Sequence, residues 1–452
     1  MNNRIVKKVF KFILIFTLVF IINYFITIAT IDEIWTYGFS YNIANYLIPY
    51  KDFNMVILPF HSLVTGLILR FSSTSFLSYH IIMALIYSMF YYFISERITI
   101  RKTLYLILYL VMLETYFYNS FMAFILMMIL LLETSEYKHK DIIIGLLIGY
   151  IMMTKVNIGA FIFLVFFFKS KDKLKVFLYS SIIPLFVLCY LIFTNSLLPC
   201  IDYCLLGLMN FTKNYYIEYE YIIMELIVIG YIIFKIVKTK DKNYYYILAF
   251  QVLFYPLLDL NHFVVAIFPL IFYLLMTLKQ KNNILLTKLL IIIFCIPTLV
   301  AFRFMYKNYD SFIGYRNMYA DNTEYFDKVK DYINKEPNKK RFYLNSFAYF
   351  LRLNNNETIT KYDLMNHGNM GTKEDHIIYE IDNICLKEDC RILVDFYEYS
   401  LIDNQMPIKV KDFILNNYEL CYDDFVYCRK INYCPREKEW KRKMFGYIYH
   451  LF

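Results

Sequence analysis

Long apolar runs without charge constrain this chain more than any other feature. Phe12–Ile31 carries no charged residue. It is long enough to cross a bilayer, which takes about 20 residues. Similar runs recur as far as about residue 305. The chain is 59% hydrophobic, above the roughly 45–50% of ordinary globular domains. The expectation is a polytopic α-helical membrane protein with a more polar tail. Arg4, Lys7, Lys8 and Lys11 precede the first run like the n-region of a signal peptide. The run exceeds the usual 7–15 residues and no A-x-A-like site follows, so an uncleaved first span is expected.

The net charge of +9 does not imply nucleic acid. The basic residues sit in short clusters between apolar runs, which is the positive-inside pattern. The clusters are Arg4–Lys11, Arg97–Lys102, Lys138–Lys140, Lys169–Lys175, Lys235–Lys242 and Lys279–Lys281. Placing them all in the cytoplasm requires an even number of crossings between neighbours. About eleven spans satisfy this, several of them only roughly 11–15 residues long. Residues 56–71 are read as a juxtamembrane or re-entrant helix. The N-terminus is then cytoplasmic, and the tail is extracytoplasmic. Two domains follow: 1–305 in the membrane, with a first outer loop over 31–55, and 306–452 outside.

The tail alternates helical and strand patterns. Asp321–Lys335 and Lys373–Ile384 have helical spacing. Arg341–Asn345 and Arg391–Phe396 read as strands, and Tyr418–Tyr422 with Phe425–Arg429 as a hairpin. A small α/β domain is expected. Gly368 and Gly371 mark a tight turn in NHGNMG, with no Gly-rich phosphate fingerprint around them. None of the nine cysteines has paired C-x-x-C spacing. Cys421 and Cys428 flank a turn and could pair under oxidising conditions; free thiols are the alternative.

Chemistry is expected to concentrate in Ile31–Met55. Asp32 and Glu33 follow the first run directly, and Asp52 closes the stretch. A carboxylate at that place can take a proton from an acceptor hydroxyl; alternatively, the acids only mark where a helix leaves the bilayer. Lys155, with Asn157 and Gly159, lies in a turn between short apolar runs. A lysine there is costly and points to function, such as neutralising a phosphate, or it snorkels to headgroups. Asp259 and His262 are three residues apart on another turn and could bind hydroxyls. Arg70 could meet phosphate or serve as an anchor, and Glu114 is a further candidate acid. Asp32, Asp52, His61 and His262 show no zinc-type spacing, so neither metal nor other cofactor is expected.

An acidic pair after the first span, an aromatic amphipathic loop and then PYKDF resemble the GT-C membrane glycosyltransferases. The bacterial proteins similar to protein O-mannosyltransferases and to the lipid A aminoarabinose transferase come nearest. Tyr46 departs from the pattern, standing where that family is expected to have Gly. The resemblance implies an inverting transferase of the cell envelope, active in polysaccharide biosynthesis at the outer membrane face. Its donor would be a polyprenyl-phosphate sugar, and its acceptor a glycan, lipid or protein. Asp32 would be the general base, supported by Glu33. Lys155, Asn157, Asp52, Arg70, Glu114, Asp259 and His262 would bind substrate. Membrane lipids would surround the protein. The alternatives are a flippase or transporter of lipid-linked sugars, a polysaccharide polymerase, and a scaffold presenting the tail.

Overall fold

The structure is a computed structural model. It describes residues 3–23, 31–95, 118–207, 219–255, 258, 260–277, 328, 331–344, 370–373, 375–385, 388–394, 407–422 and 425–430. In chain order the helices begin with α1 (Asn3–Ile21), α2 (Ile31–Ala44), α3 (Phe60–Phe71), α4 (Phe76–Ser95) and α5 (Tyr118–Glu133). Then come α6 (Lys140–Met152), α7 (Val156–Lys169), α8 (Lys173–Phe193), α9 (Leu197–Ile201), α10 (Tyr219–Thr239), α11 (Asn243–Phe250) and α12 (Leu260–Thr277). The tail follows as β1 (Lys340–Tyr343), α13 (His376–Cys385), β2 (Cys390–Leu393), α14 (Ile408–Asn417), β3 (Tyr418–Tyr422) and β4 (Val426–Arg429). The chain forms two compact units. One comprises residues 1–44, 58–189 and 217–323, the other 45–57, 190–216 and 324–452.

The first unit is helical. At its centre is α5, whose residues from Tyr118 to Leu132 are nearly all buried. It is apolar on every side because neighbours cover every side. It packs against α12, which is just as apolar, and against α6. In α4 a stripe of Tyr79, Met83, Tyr87, Tyr91 and Ile94 faces inward at helical spacing. The opposite stripe of Leu77, Ile81, Leu85, Met89 and Phe93 is exposed. Helix α8 keeps most of its apolar surface outward, including Phe177, Ile182 and Phe186.

This architecture corrects the expected topology. Among the described residues, two helices are long and apolar enough to cross a membrane, Phe76–Ser95 and Lys173–Phe193, where about eleven spans were expected. The other apolar helices there are shorter, at 10–17 residues. An apolar run of about 10–14 residues suits a buried core helix better than a crossing. In α5 and α12 the runs read as spans are covered by protein. The polytopic GT-C-like fold class is therefore not supported, nor is the multi-pass location with a cytoplasmic N-terminus and external tail. The expected spans over about 103–117 and about 287–305 lie outside the described residues. The supposed loop after the first run is also different, since residues 31–44 form α2.

The second unit contains a four-stranded sheet in the order β1-β2-β4-β3. β1 and β2 run parallel, and the other pairs are antiparallel. Ile392, Leu393 and Val394 are fully buried, with Val410 and Ile414 of α14 also in the core. Among the described residues, two disulfides stitch this unit. Cys385–Cys390 joins the end of α13 to the start of β2, and Cys421–Cys428 crosses the β3–β4 hairpin. Chain entropy for such short loops gives about 2 kcal/mol each. Residues 45–57 form a hook in the same unit. Tyr46 and Tyr50 there have φ of 67°, a conformation bulky residues rarely adopt. Asp52 supports the hook by accepting a hydrogen bond from the Ile48 amide at 2.8 Å.

Candidate anion-binding site

The first unit brings together the first turns of α5, α7 and α12. Lys155 is the extended N-cap residue of α7, and its backbone carbonyl accepts from the Gly159 amide at 3.0 Å. Its side chain reaches α5, where Nζ donates to Asn119 Oδ1 at 3.2 Å. The same ammonium lies 5.6 Å from the centre of the Tyr118 ring. Asn119 is fully buried and lies 3.0 Å, through Nδ2, from His262 Nε2 on α12. The lysine thereby sets the whole relay. An ammonium has only donors, so the Asn119 carbonyl faces it and the amide nitrogen faces the histidine. His262 must then accept at Nε2 and carry its proton at Nδ1.

Two effects make this corner electropositive. Lys155 is half-buried and supplies an ammonium donor, and the N–H groups of the first turn of α7, which have no partner within the helix, stand beside it. Cations with helix N-termini are suited to phosphate and carboxylate groups.

The wall beside it is aromatic. The Phe60 amide at the start of α3 donates to Met153 O at 3.2 Å, which holds α3 on the α6–α7 corner. His61 Nδ1 lies 2.7 Å from Tyr150 Oη, and its ring centre is 5.0 Å from that of Phe121. Burial brings the His61 imidazole down to about 4, so it is neutral near pH 7.

The remaining expected residues lie elsewhere or take other partners. Glu33 is 1% exposed and pairs through Oε1 with Nε2 of the fully buried His80, at 3.2 Å. His80 Nδ1 in turn meets Asn23 Oδ1. This enclosed pair ties together the end of α1, α2 and α4. Tyr79 and Tyr87 lie around it, their phenols pushed well up by burial and further by the charge of Glu33. Arg70 donates to Ile43 O at 2.5 Å and to Ala44 O at 3.2 Å. It therefore caps the last carbonyls of α2. Asn157 is exposed on α7. The backbone of Asp32 is on α2, but its side chain is outside the described residues, as are Glu114 and Asp259. Asp52 belongs to the other unit. Of the nine expected site residues, the structure thus joins Lys155 to His262. The residue that joins them, Asn119, is not among the expected site residues.

Glu225 on α10 gave no sequence signal, being one acid in an apolar run. It is 4% exposed, and among the described residues neither carboxylate oxygen has a hydrogen-bond partner. Burial pushes its carboxyl up to about 7, against about 4.3 in an unfolded chain. Between those values the folded protein binds more protons than the unfolded one. Stability from this group is therefore full below about pH 4 and is lost as pH rises toward about 7. The difference corresponds to about 4 kcal/mol. Glu225→Gln should remove most of this loss. Its melting temperature should match that of the wild type near pH 4 and exceed it increasingly up to pH 7.5, as followed by thermal denaturation across pH.

No family model, curated protein or solved structure matches this chain. The resemblance to GT-C glycosyltransferases rested on an acidic pair, one short motif and an eleven-span path. No family comparison supports it, and the described helices do not follow that path. Sugar transfer from a polyprenyl-phosphate donor at the outer membrane face depended on both. That assignment is accordingly corrected, together with the flippase and polymerase alternatives.

Proposed function

We propose that the first unit binds a phosphate-bearing ligand at the corner of α5, α7 and α12. The observation that carries this is Lys155, the N-cap residue of α7, with its ammonium oriented by the Asn119–His262 relay. A half-buried lysine at a helix N-terminus offers a point charge and backbone donors to the same phosphate. Asn119 accepts a hydrogen bond from the ammonium and so fixes where it sits.

The test is titration of the purified chain with pyrophosphate by calorimetry. A hydrogen bond to a charged group is worth about 1.5–3 kcal/mol, so Lys155→Met should weaken binding about 10- to 100-fold. Lys235→Met on α10, a control, should leave it unchanged. Equal binding by the Lys155 variant and wild type would remove the proposal.

A further inference from the structure

Two corners of the first unit meet at the end of α7 opposite Lys155. The corner of α7 and α8 carries Lys169, Lys171, Lys173 and Lys175, and the corner of α10 and α11 carries Lys238 and Lys240, all exposed. Aromatic contacts hold the corners side by side. Phe166 of α7 stacks on Tyr246 of α11, with ring centres 4.2 Å apart. Nearby, Lys169 Nζ stands 3.6 Å from the centre of the Tyr245 ring. Two clusters that are remote in the sequence thus form one basic edge.

Acids in the same turns leave most of this charge in place. Asp172 is held by Lys175 at 2.7 Å. Asp241 accepts from the Asn243 side-chain amide at 3.0 Å and from the Tyr273 hydroxyl. Glu133 is taken by Lys242, beyond Lys240, at 2.9 Å. Apolar side chains stand among the lysines. Phe168, Leu174 and Val237 are exposed, and each is next to a lysine in the chain. Lys173 Nζ lies 5.9 Å from the centre of the Phe167 ring, and Lys238 Nζ 5.4 Å from that of Phe234. Lysines placed in this way run their stems over apolar surface and keep their charge in water.

A basic edge alone would suit any polyanion. Nucleic acid would meet the lysines but leave Leu174 and Val237 in water, with the exposed apolar stripes that continue from them along α8 and α10. An anionic bilayer satisfies both, since its headgroups attract lysines and its acyl boundary takes apolar side chains. From the juxtaposition of these lysines with exposed apolar residues, the geometry points to the two corners as one docking surface for anionic phospholipids. The ammonium groups meet the headgroups, and Phe168, Leu174 and Val237 enter the boundary between headgroups and acyl chains. The contact uses one edge of the unit and involves no crossing of the bilayer. It is independent of the phosphate site, which lies at the other end of α7.

The test is sedimentation of the full chain with vesicles of phosphatidylcholine, with or without phosphatidylserine. Binding should require phosphatidylserine and weaken as salt is raised. Each lysine near an anionic surface is worth about fivefold in binding, so replacing Lys171, Lys173, Lys238 and Lys240 together by Gln should weaken it at least about 100-fold. Arg at the same four positions should retain it. The four side chains are exposed, so the Gln variant should melt with the wild type. Leu174→Ser combined with Val237→Ser should weaken binding at low and high salt alike. Three results would overturn the proposal: equal binding to vesicles with and without phosphatidylserine, unchanged binding by the Gln variant, or capture of the chain by duplex DNA with none by the vesicles.

Discussion

Glu33→Ala is expected to cost the protein about 3–5 kcal/mol, because it leaves half of a buried ion pair behind. Glu33 is 1% exposed and His80 is fully buried, with Nε2 and Oε1 3.2 Å apart. Asn23 faces the other ring nitrogen with its carbonyl oxygen. Both nitrogens thus point at acceptors, the arrangement of an imidazolium paired with a carboxylate. Removing Glu33 strands that charge in a low-dielectric core. Its partner must then lose a proton or stay unpaired, and the Asn23 contact was arranged for the paired form. Replacing both members with Leu should recover much of the loss, because burying two apolar side chains there avoids the desolvation of two charges. Urea denaturation of the two single variants and the double variant would measure the coupling. Additive losses from the single variants would mean that the two residues do not act as a pair.

The depth of that pair shows where the sequence was legible. Glu33 stood out as an acid beside an apolar run, and a surface role seemed the natural one. His80 gave no cue, lying 47 positions along the chain in another apolar run. Only the packing of α1, α2 and α4 brings Asn23, Glu33 and His80 together. The same gap explains the topology. Composition cannot distinguish an apolar helix covered by lipid from one covered by other helices, and α5 is of the second kind. In the second unit, local signals went further. The strand pattern that starts at Arg391 lies at β2, and Tyr418–Tyr422 with Val426–Arg429 form the β3–β4 hairpin, because alternation and a turn are properties of neighbouring residues. Cys421 and Cys428 face each other across that hairpin, whereas Cys385–Cys390 had no spacing signal. Tyr46, where glycine was expected, does take the left-handed backbone that glycine favours. In the candidate site, Lys155 and His262 were legible as isolated polar residues in apolar surroundings. Their link through Asn119 required the fold.

Gly159→Ala should damage both the fold and the site, through a single methyl group. A Cβ at Gly159 would lie 2.2 Å from Met152 Cα and 2.4 Å from Met152 N, so it meets the backbone of α6 rather than a movable side chain. The α6–α7 corner has no lateral freedom, because Met153 N is bonded to Gly149 O, and Lys155 N to Ile151 O. The helices must therefore separate, and overpacking of this kind costs about 1–3 kcal/mol or more. The movement also carries Lys155, four residues before Gly159, away from Asn119. Gly159→Ala should accordingly lower the melting temperature and weaken pyrophosphate binding together. Gly230 in α10 is the control, with nothing within 4 Å of its added Cβ. Gly230→Ala should raise stability by about 0.5–1 kcal/mol through helix propensity alone and leave binding unchanged. The pair of variants therefore separates the close approach of two helices from the general effect of replacing a helical glycine. If Gly159→Ala behaved like Gly230→Ala in both measurements, the corner would have to be more yielding than its geometry implies, and the positioning of Lys155 would not depend on it.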